Sequence, residues 1–138
     1  MKTILRNVLA VVAGLVLGSI VNMALVIAGP HVVPSPAGVD WNDAKSLAAG
    51  AHLLTPKHFV FPFLAHALGT LAGALAAHLL AAPRSPALAY VVGAFFLAGG
   101  IAAACMIPAP AWFIALDLLL AYLPMAWLGA RFGQRLRA

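Results

Sequence analysis

The sequence predicts an all-α integral membrane protein, a single-domain four-helix bundle (residues 1–138) with both termini in the cytoplasm. Three observations predict it. Four stretches are each apolar over the ~20 residues that a bilayer crossing requires. Hydrophobic residues make up 64% of the 138 positions and charged residues only 8%, against about 25% charged in an ordinary soluble domain. The basic residues gather at the ends of the apolar stretches. The net charge of +5 therefore reads as a topology signal with membrane phosphates as its partners, and no nucleic-acid partner is expected.

The first span covers about residues 4–28. Lys2 and Arg6 precede an apolar run, Val8 to Ala28, that exceeds the ~7–15 residues of a secretory signal core. It is therefore expected to stay as an uncleaved membrane helix, ended by Gly29-Pro30. The outer loop is 29–57. Its first part, His31 to Gly38, is rich in turn residues. Asp40 is the expected N-cap of a short helix, with Asp43 in its first turn and Gly50 as its stop. Trp41, Ala44, Leu47 and Ala48 share one face of that helix, which should lie flat on the outer membrane surface with Trp41 at headgroup level.

The second span is 59–82, introduced by Thr55 as N-cap and Pro56 at the first helical position. Ser85-Pro86 repeats the pattern before the third span, 86–107. Pro108 and Pro110 end that span and force a tight turn into the fourth, 111–130. Pro124 should kink the fourth span and free the Leu120 carbonyl. Lys2, Arg6, Arg84, Arg131, Arg135 and Arg137 fall on one side, against Lys45 and Lys57 with Asp40 and Asp43 on the other. The positive-inside rule puts both termini and the Arg84 turn in the cytoplasm. Cys105, the single cysteine, precludes an intrachain disulfide and reads as a small buried hydrophobe.

Inside lipid, helices associate through small residues and interhelical hydrogen bonds rather than through apolar burial. Ala10, Gly14, Gly18 and Asn22 recur every fourth position in the first span, and Ala65, Gly69, Gly73 and Ala77 do so in the second. Ala89 with Gly93, Gly100 with Ala104, and Gly129 with Gly133 continue the theme. These stripes read first as bundle packing, and any surplus would suit a second copy or another membrane protein.

Three strongly polar side chains stand within the spans: Asn22, His66 and Asp117. An aspartate near a helix centre costs ~2.5–3.5 kcal/mol to insert, so Asp117 should turn inward toward partners. An Asn22, His66, Asp117 cluster is expected, with Thr70 and Tyr122 as neighbours. It serves either as a hydrogen-bond clasp between helices, the preferred reading, or as a proton-titrating or ligand-binding site. His31, Asp40, Asp43, His52 and His58 in or near the outer loop carry donors for zinc or copper, although their spacing matches no tight ligand signature, and surface polarity is the preferred reading.

Haem is not expected, because His66 and His78 share one helix and the other spans hold no histidine. Catalysis finds little support: Ser19 and Cys105 lack an evident base, no glutamate occurs, and no phosphate-cradling loop is present.

The stretch His58-Phe-Val-Phe-Pro-Phe-Leu-Ala-His-Ala-Leu-Gly-Thr70, with Asn22, Gly29-Pro30 and Pro108-Ala-Pro-Ala-Trp112, resembles a functionally uncharacterised family of small four-helix bacterial inner-membrane proteins. The similarity covers nearly the whole chain and implies a bacterial inner membrane, without implying a chemistry. The resulting expectation is a non-enzymatic inner-membrane protein, self-associating or an accessory subunit of a membrane complex. A small proton-coupled transporter or channel using His66 and Asp117 comes second, and an intramembrane enzyme or metal-binding protein using the outer histidines third.

Overall fold

Lipid offers no hydrogen bonds, so an apolar run must satisfy its backbone within its own segment, and the helix does this. The computed structural model describes residues 1–82 and 86–136, and no strand occurs among them. The helices are α1 (Lys2–Val32), α2 (Ala44–Gly50), α3 (Val60–Leu80), α4 (Ala87–Met106), α5 (Ala111–Leu120) and α6 (Leu123–Leu136). Short 3-10 turns at Ala51–Leu53 and Pro56–Phe59 join α2 to α3. Four stretches, Lys2–Val32, Pro56–Leu80, Ala87–Met106 and Ala111–Leu136, are long and apolar enough to cross a membrane. Large apolar side chains cover the outside of α1, from Ile4 through Val12 and Ile20 to Ile27, as expected of a multi-pass membrane protein. The Arg84 turn, the Ser85 cap and Arg137 lie outside the described residues.

Helix boundaries depart from the sequence reading in three places. Gly29-Pro30 does not end α1, which continues to Val32. Proline already has a helical φ and removes only its own N–H, so one further turn survives it, closed by the Val33 N–H on the Gly29 carbonyl at 2.8 Å. The fourth span is interrupted rather than bent: α5 stops at Leu120 and α6 starts at Leu123. Pro124 supplies no N–H to the preceding turn, which accounts for the break. Bonds from the Ala121 N–H to Asp117 (2.9 Å) and from the Ala126 N–H to Tyr122 (2.8 Å) close the two sides. Helix α6 also runs beyond residue 130, to Leu136.

The loop helix is capped by Asp43, not Asp40. The Asp43 carboxylate accepts from the Lys45 and Ser46 N–H groups at 3.2 and 3.1 Å. Asp40 instead closes a turn on the Asn42 N–H at 2.8 Å. Two aspartates three positions apart are equivalent to a capping rule, and only the path of the chain chooses between them. Gly50 is not a left-handed stop, since its φ is −92° and a 3-10 turn follows. Glycine is needed there because Val39 fills the space a Cβ would take. Part of the apolar face turns onto the protein rather than outward, while Ala44 and Ala48 stay exposed. Leu47 is buried, and Trp41 packs edge-on against Phe59 at 6.2 Å. Segment 39–50 is thus a lid on the loop end of the helices. Asp43→Ala should loosen this lid by about 1 kcal/mol, seen as faster amide hydrogen exchange over residues 44–50, while Asp40→Ala should leave those amides slower to exchange than Asp43→Ala does.

Helix α3 packs against α1, α4 and α6. Its contact with α1 is backbone on backbone. A Cβ on Gly14 would lie 2.6 Å from the Gly73 carbonyl oxygen, and one on Gly73 would lie 2.6 Å from that of Gly14. Gly18 and Gly69 repeat the arrangement at 2.6 and 2.8 Å. The same antiparallel register sets Ala10 level with Ala77 and Asn22 level with Ala65. Both long stripes are therefore consumed within the chain, and neither is left over for a partner. Gly129 brings α6 onto α3, where a Cβ would lie 2.9 Å from the Leu75 nitrogen. At the terminal end, the Arg6 Nε–H donates to the Leu80 carbonyl (2.9 Å) and the Ala82 N–H donates to Asn7 Oδ1 (2.8 Å), tying α1 to the end of α3. Cys105 is exposed rather than buried, because α4 turns the Gly100 side inward and leaves Cys105 on its outer face.

Candidate functional site

A carboxylate in an apolar helix needs a protein partner, and α5 supplies the turn that gives Asp117 one. Its side chain points inward and is 4% exposed. His66, on α3, places Nδ1 2.9 Å from both Asp117 oxygens. A proton on Nδ1 is shared between them, leaving Nε2 as acceptor in the neutral ring or donor in the imidazolium. The Tyr122 hydroxyl donates to Asp117 Oδ2 at 3.0 Å, and its ring stacks on His66 with centroids 5.7 Å apart. Asp117 thus receives every hydrogen bond recorded at this centre.

Tyr122 reaches Asp117 only because the fourth span breaks. On a continuous α-helix, side chains five positions apart point ~140° away from each other. The break at Ala121-Tyr122 swings the hydroxyl back under the carboxylate. Gly100 on α4 leaves the room, since a Cβ there would collide with the Tyr122 phenol.

Two cavities, each about 250 Å³, meet at this centre and share His66, Gly100 and Ala103 in their walls. The first reaches the loop end, walled by Phe59, Phe61, Phe113 and the lid residue Trp41, with His66 and Asp117 also lining it. The second is lined by Asn22, Thr70, Tyr122 and Phe96. Asn22 Oδ1 and Thr70 Oγ1 are both buried with no hydrogen-bond partner in the protein. A buried polar atom in a native protein is normally satisfied by protein, water or ligand. These two therefore mark the inner cavity as a place for a polar guest.

The five-residue cluster expected from the sequence is brought together only in part. His66, Asp117 and Tyr122 are bonded to one another. Asn22 and Thr70 line the adjoining cavity and make no bond to the trio, so the clasp links α3 to the fourth span and does not include α1. The outer set of His31, Asp40, Asp43, His52 and His58 is not assembled. His31 and His52 are exposed, Asp40 closes a turn and Asp43 caps α2. His58 is buried, with Nδ1 accepting from the Thr55 N–H at 2.9 Å in a capping box. Among the described residues no group of three His, Cys, Asp or Glu side chains could hold a metal ion.

Sequence reasoning missed the roof of the site, Trp41, Phe59 and Phe113, and the role of Gly100. The aromatic roof had a faint signal in the density of phenylalanines from Phe59 to Phe63. Gly100 was marked only for helix packing with Ala104, because the phenol it makes room for cannot be read from the local pattern. No protein-family model, no curated protein and no solved structure matches this chain, and its function rests on the geometry.

Proposed function

We propose that this chain is a four-helix, multi-pass protein of the bacterial inner membrane, with both termini cytoplasmic, that binds a small solute at a protonatable site and couples its movement to protons. The observation that carries the reading is the position of His66 and Asp117. They lie where a cavity reaching the loop end meets one lined by Asn22 and Thr70, whose side-chain oxygens are buried without partners. Ionisable residues within spans are rare and commonly mark ion or substrate pathways. A purely structural subunit has no use for a cavity that leaves Asn22 and Thr70 unsatisfied, so the site reading is preferred to that of an accessory protein. Lys2, Arg6, Arg131 and Arg135 at the terminal end, against Asp40 and Asp43 at the loop end, favour a cytoplasmic terminal end. Trp112 and Trp127 are half-exposed and suit the two headgroup levels, and Arg131 lies 5.5 Å from the centre of the Trp127 ring.

The test is proton uptake. Purified protein in detergent, taken from about pH 8 to about pH 5, should take up more protons than His66→Gln, the variant that lacks the imidazole. Equal uptake by the two proteins would end this reading.

A further inference from the structure

We propose that the site selects a protonated primary amine carried on a small apolar or aromatic body. This inference rests on the reading of a protonatable solute site and adds the class of solute.

The body follows from the walls. Phe59, Phe61, Phe113, Ile114 and Leu118 line the loop-end cavity beneath Trp41, an environment that favours apolar groups and, through its rings, cations. At about 250 Å³ each, the cavities sit near the ~300 Å³ lower bound of small-molecule sites, so the ligand is small.

The charge follows from what is ionisable. Asp117 supplies a carboxylate, and no lysine or arginine lines either cavity. His58 lines the loop-end cavity with its Nδ1 held by Thr55. The groups facing the pair are few. Tyr122 contributes its hydroxyl, α1 contributes Asn22, and α4 contributes Gly100 and Ala103. When His66 is neutral, the centre carries one uncompensated negative charge, which an anionic solute would oppose and a cation would balance.

The number of N–H groups follows from the acceptors. Asn22 Oδ1 and Thr70 Oγ1 are buried without a partner, on residues of the cavity that His66 also lines. A primary ammonium brings three donors and can serve both oxygens, whereas a quaternary ammonium brings none. Binding then exchanges one charge for another. Where His66 carries a second proton, that proton leaves to bulk water and a neutral imidazole remains on the Asp117 carboxylate. The ammonium replaces the lost positive charge, and the net charge of the site is unchanged.

The experiment is calorimetric titration of the purified full chain in detergent with phenethylammonium, its trimethylated analogue, phenethyl alcohol and the anion hydrocinnamate. Phenethylammonium should bind at least about tenfold more tightly than the other three. Its affinity should be higher at about pH 8 than at about pH 6, because a proton on His66 competes with the ammonium for the Asp117 charge. Thr70→Val should weaken phenethylammonium binding about tenfold while the unliganded variant melts no lower than wild type, because the lost hydroxyl had no partner. Equal or tighter binding of the alcohol or hydrocinnamate overturns the cation assignment, and equal binding of the trimethylated analogue overturns the primary amine. Asp117→Asn binding phenethylammonium as wild type does would overturn the proposal as well; should that variant not fold, the pH series on wild type and the Thr70→Val comparison still decide it. Binding of none of the four probes also overturns the amine assignment. The separate proton-uptake difference at His66 then shows whether the protonatable site survives without it.

Discussion

Alanine in place of Gly18 is expected to lower the stability of the purified protein by about 1–3 kcal/mol, the usual cost of forcing extra volume into a packed contact. Leucine there should leave no folded protein to purify. A Cβ on Gly18 would stand 2.6 Å from the Gly69 carbonyl oxygen and 2.7 Å from two carbons of the Phe96 ring. The phenyl ring can turn aside, but the carbonyl belongs to a helix backbone and cannot. Relief therefore requires α1 to move away from α3, which would also disturb the Gly14–Gly73 contact one turn further along. Gly14→Ala should behave similarly, and combining the two should cost less than their sum, because the first substitution has already parted the helices. The control is Gly99→Ala, where nothing lies within 4 Å of the added methyl. It should melt at or slightly above the wild-type temperature, in line with the higher helix propensity of alanine. Thermal melting in one detergent compares the four alanine variants with wild type, and wild-type behaviour of Gly18→Ala would contradict the interface.

His66→Leu is expected to cost about 3–5 kcal/mol, the loss typical when one partner of a buried pair is removed. Asp117 would keep only the Tyr122 hydroxyl as a donor, at 3.0 Å, in a position that is 4% exposed. The partner substitution Asp117→Leu should be milder, because a histidine left alone becomes neutral at little cost and its side chain is 27% exposed. The double variant His66→Leu, Asp117→Leu should recover most of the loss, since replacing a whole buried pair with apolar residues is often close to neutral. This cycle separates stability from function. The double variant should melt near wild type, yet lose the proton uptake that distinguishes wild type from His66→Gln. A double variant as unstable as His66→Leu alone would mean that the pair shapes the helices themselves.

Much of this was readable from individual residues. Asp117 and His66 stand out because a polar side chain in an apolar span has few places to point, and the inward direction follows from solvation alone. The glycine stripes were legible for a similar reason: spacing of four marks one face of a helix, and small residues on one face mark close approach. What could not be read was which stripe meets which. Ala10 to Asn22 and Ala65 to Ala77 are each compatible with several neighbours, and reciprocal approach at Gly14–Gly73 and Gly18–Gly69 appears only when both helices are placed. Asn22 illustrates the limit. Its polarity suggested membership of a bonded cluster, but the register with Ala65 leaves Oδ1 buried without a partner, on a residue at the wall of a cavity.

Local rules also fell short where two residues satisfied the same rule. Asp40 and Asp43 are both plausible caps, and His58, read as surface polarity with metal ligation as the alternative, instead completes a capping box with Thr55. In each case a short polar side chain bonds to the nearest free N–H, and which N–H that is depends on the path of the chain over several residues. Trp41 shows the same dependence at longer range. An amphipathic loop helix can lay its apolar face on lipid or on its own protein, and the nearness of Phe59 decides between them.

By itself, the sequence determined the four apolar helices, their approximate limits, the asymmetry of basic residues and the inward turn of Asp117. Each of these follows from transferring individual groups between water and hydrocarbon, and such costs are local. Only the tertiary structure decided the pairing of α1 with α3, the bond from Tyr122 back to Asp117 across a broken helix, the closure of the loop over the cavity and the two oxygens left without partners. Those depend on which surfaces meet, and contact between residues far apart in the chain leaves little trace in the local pattern of either.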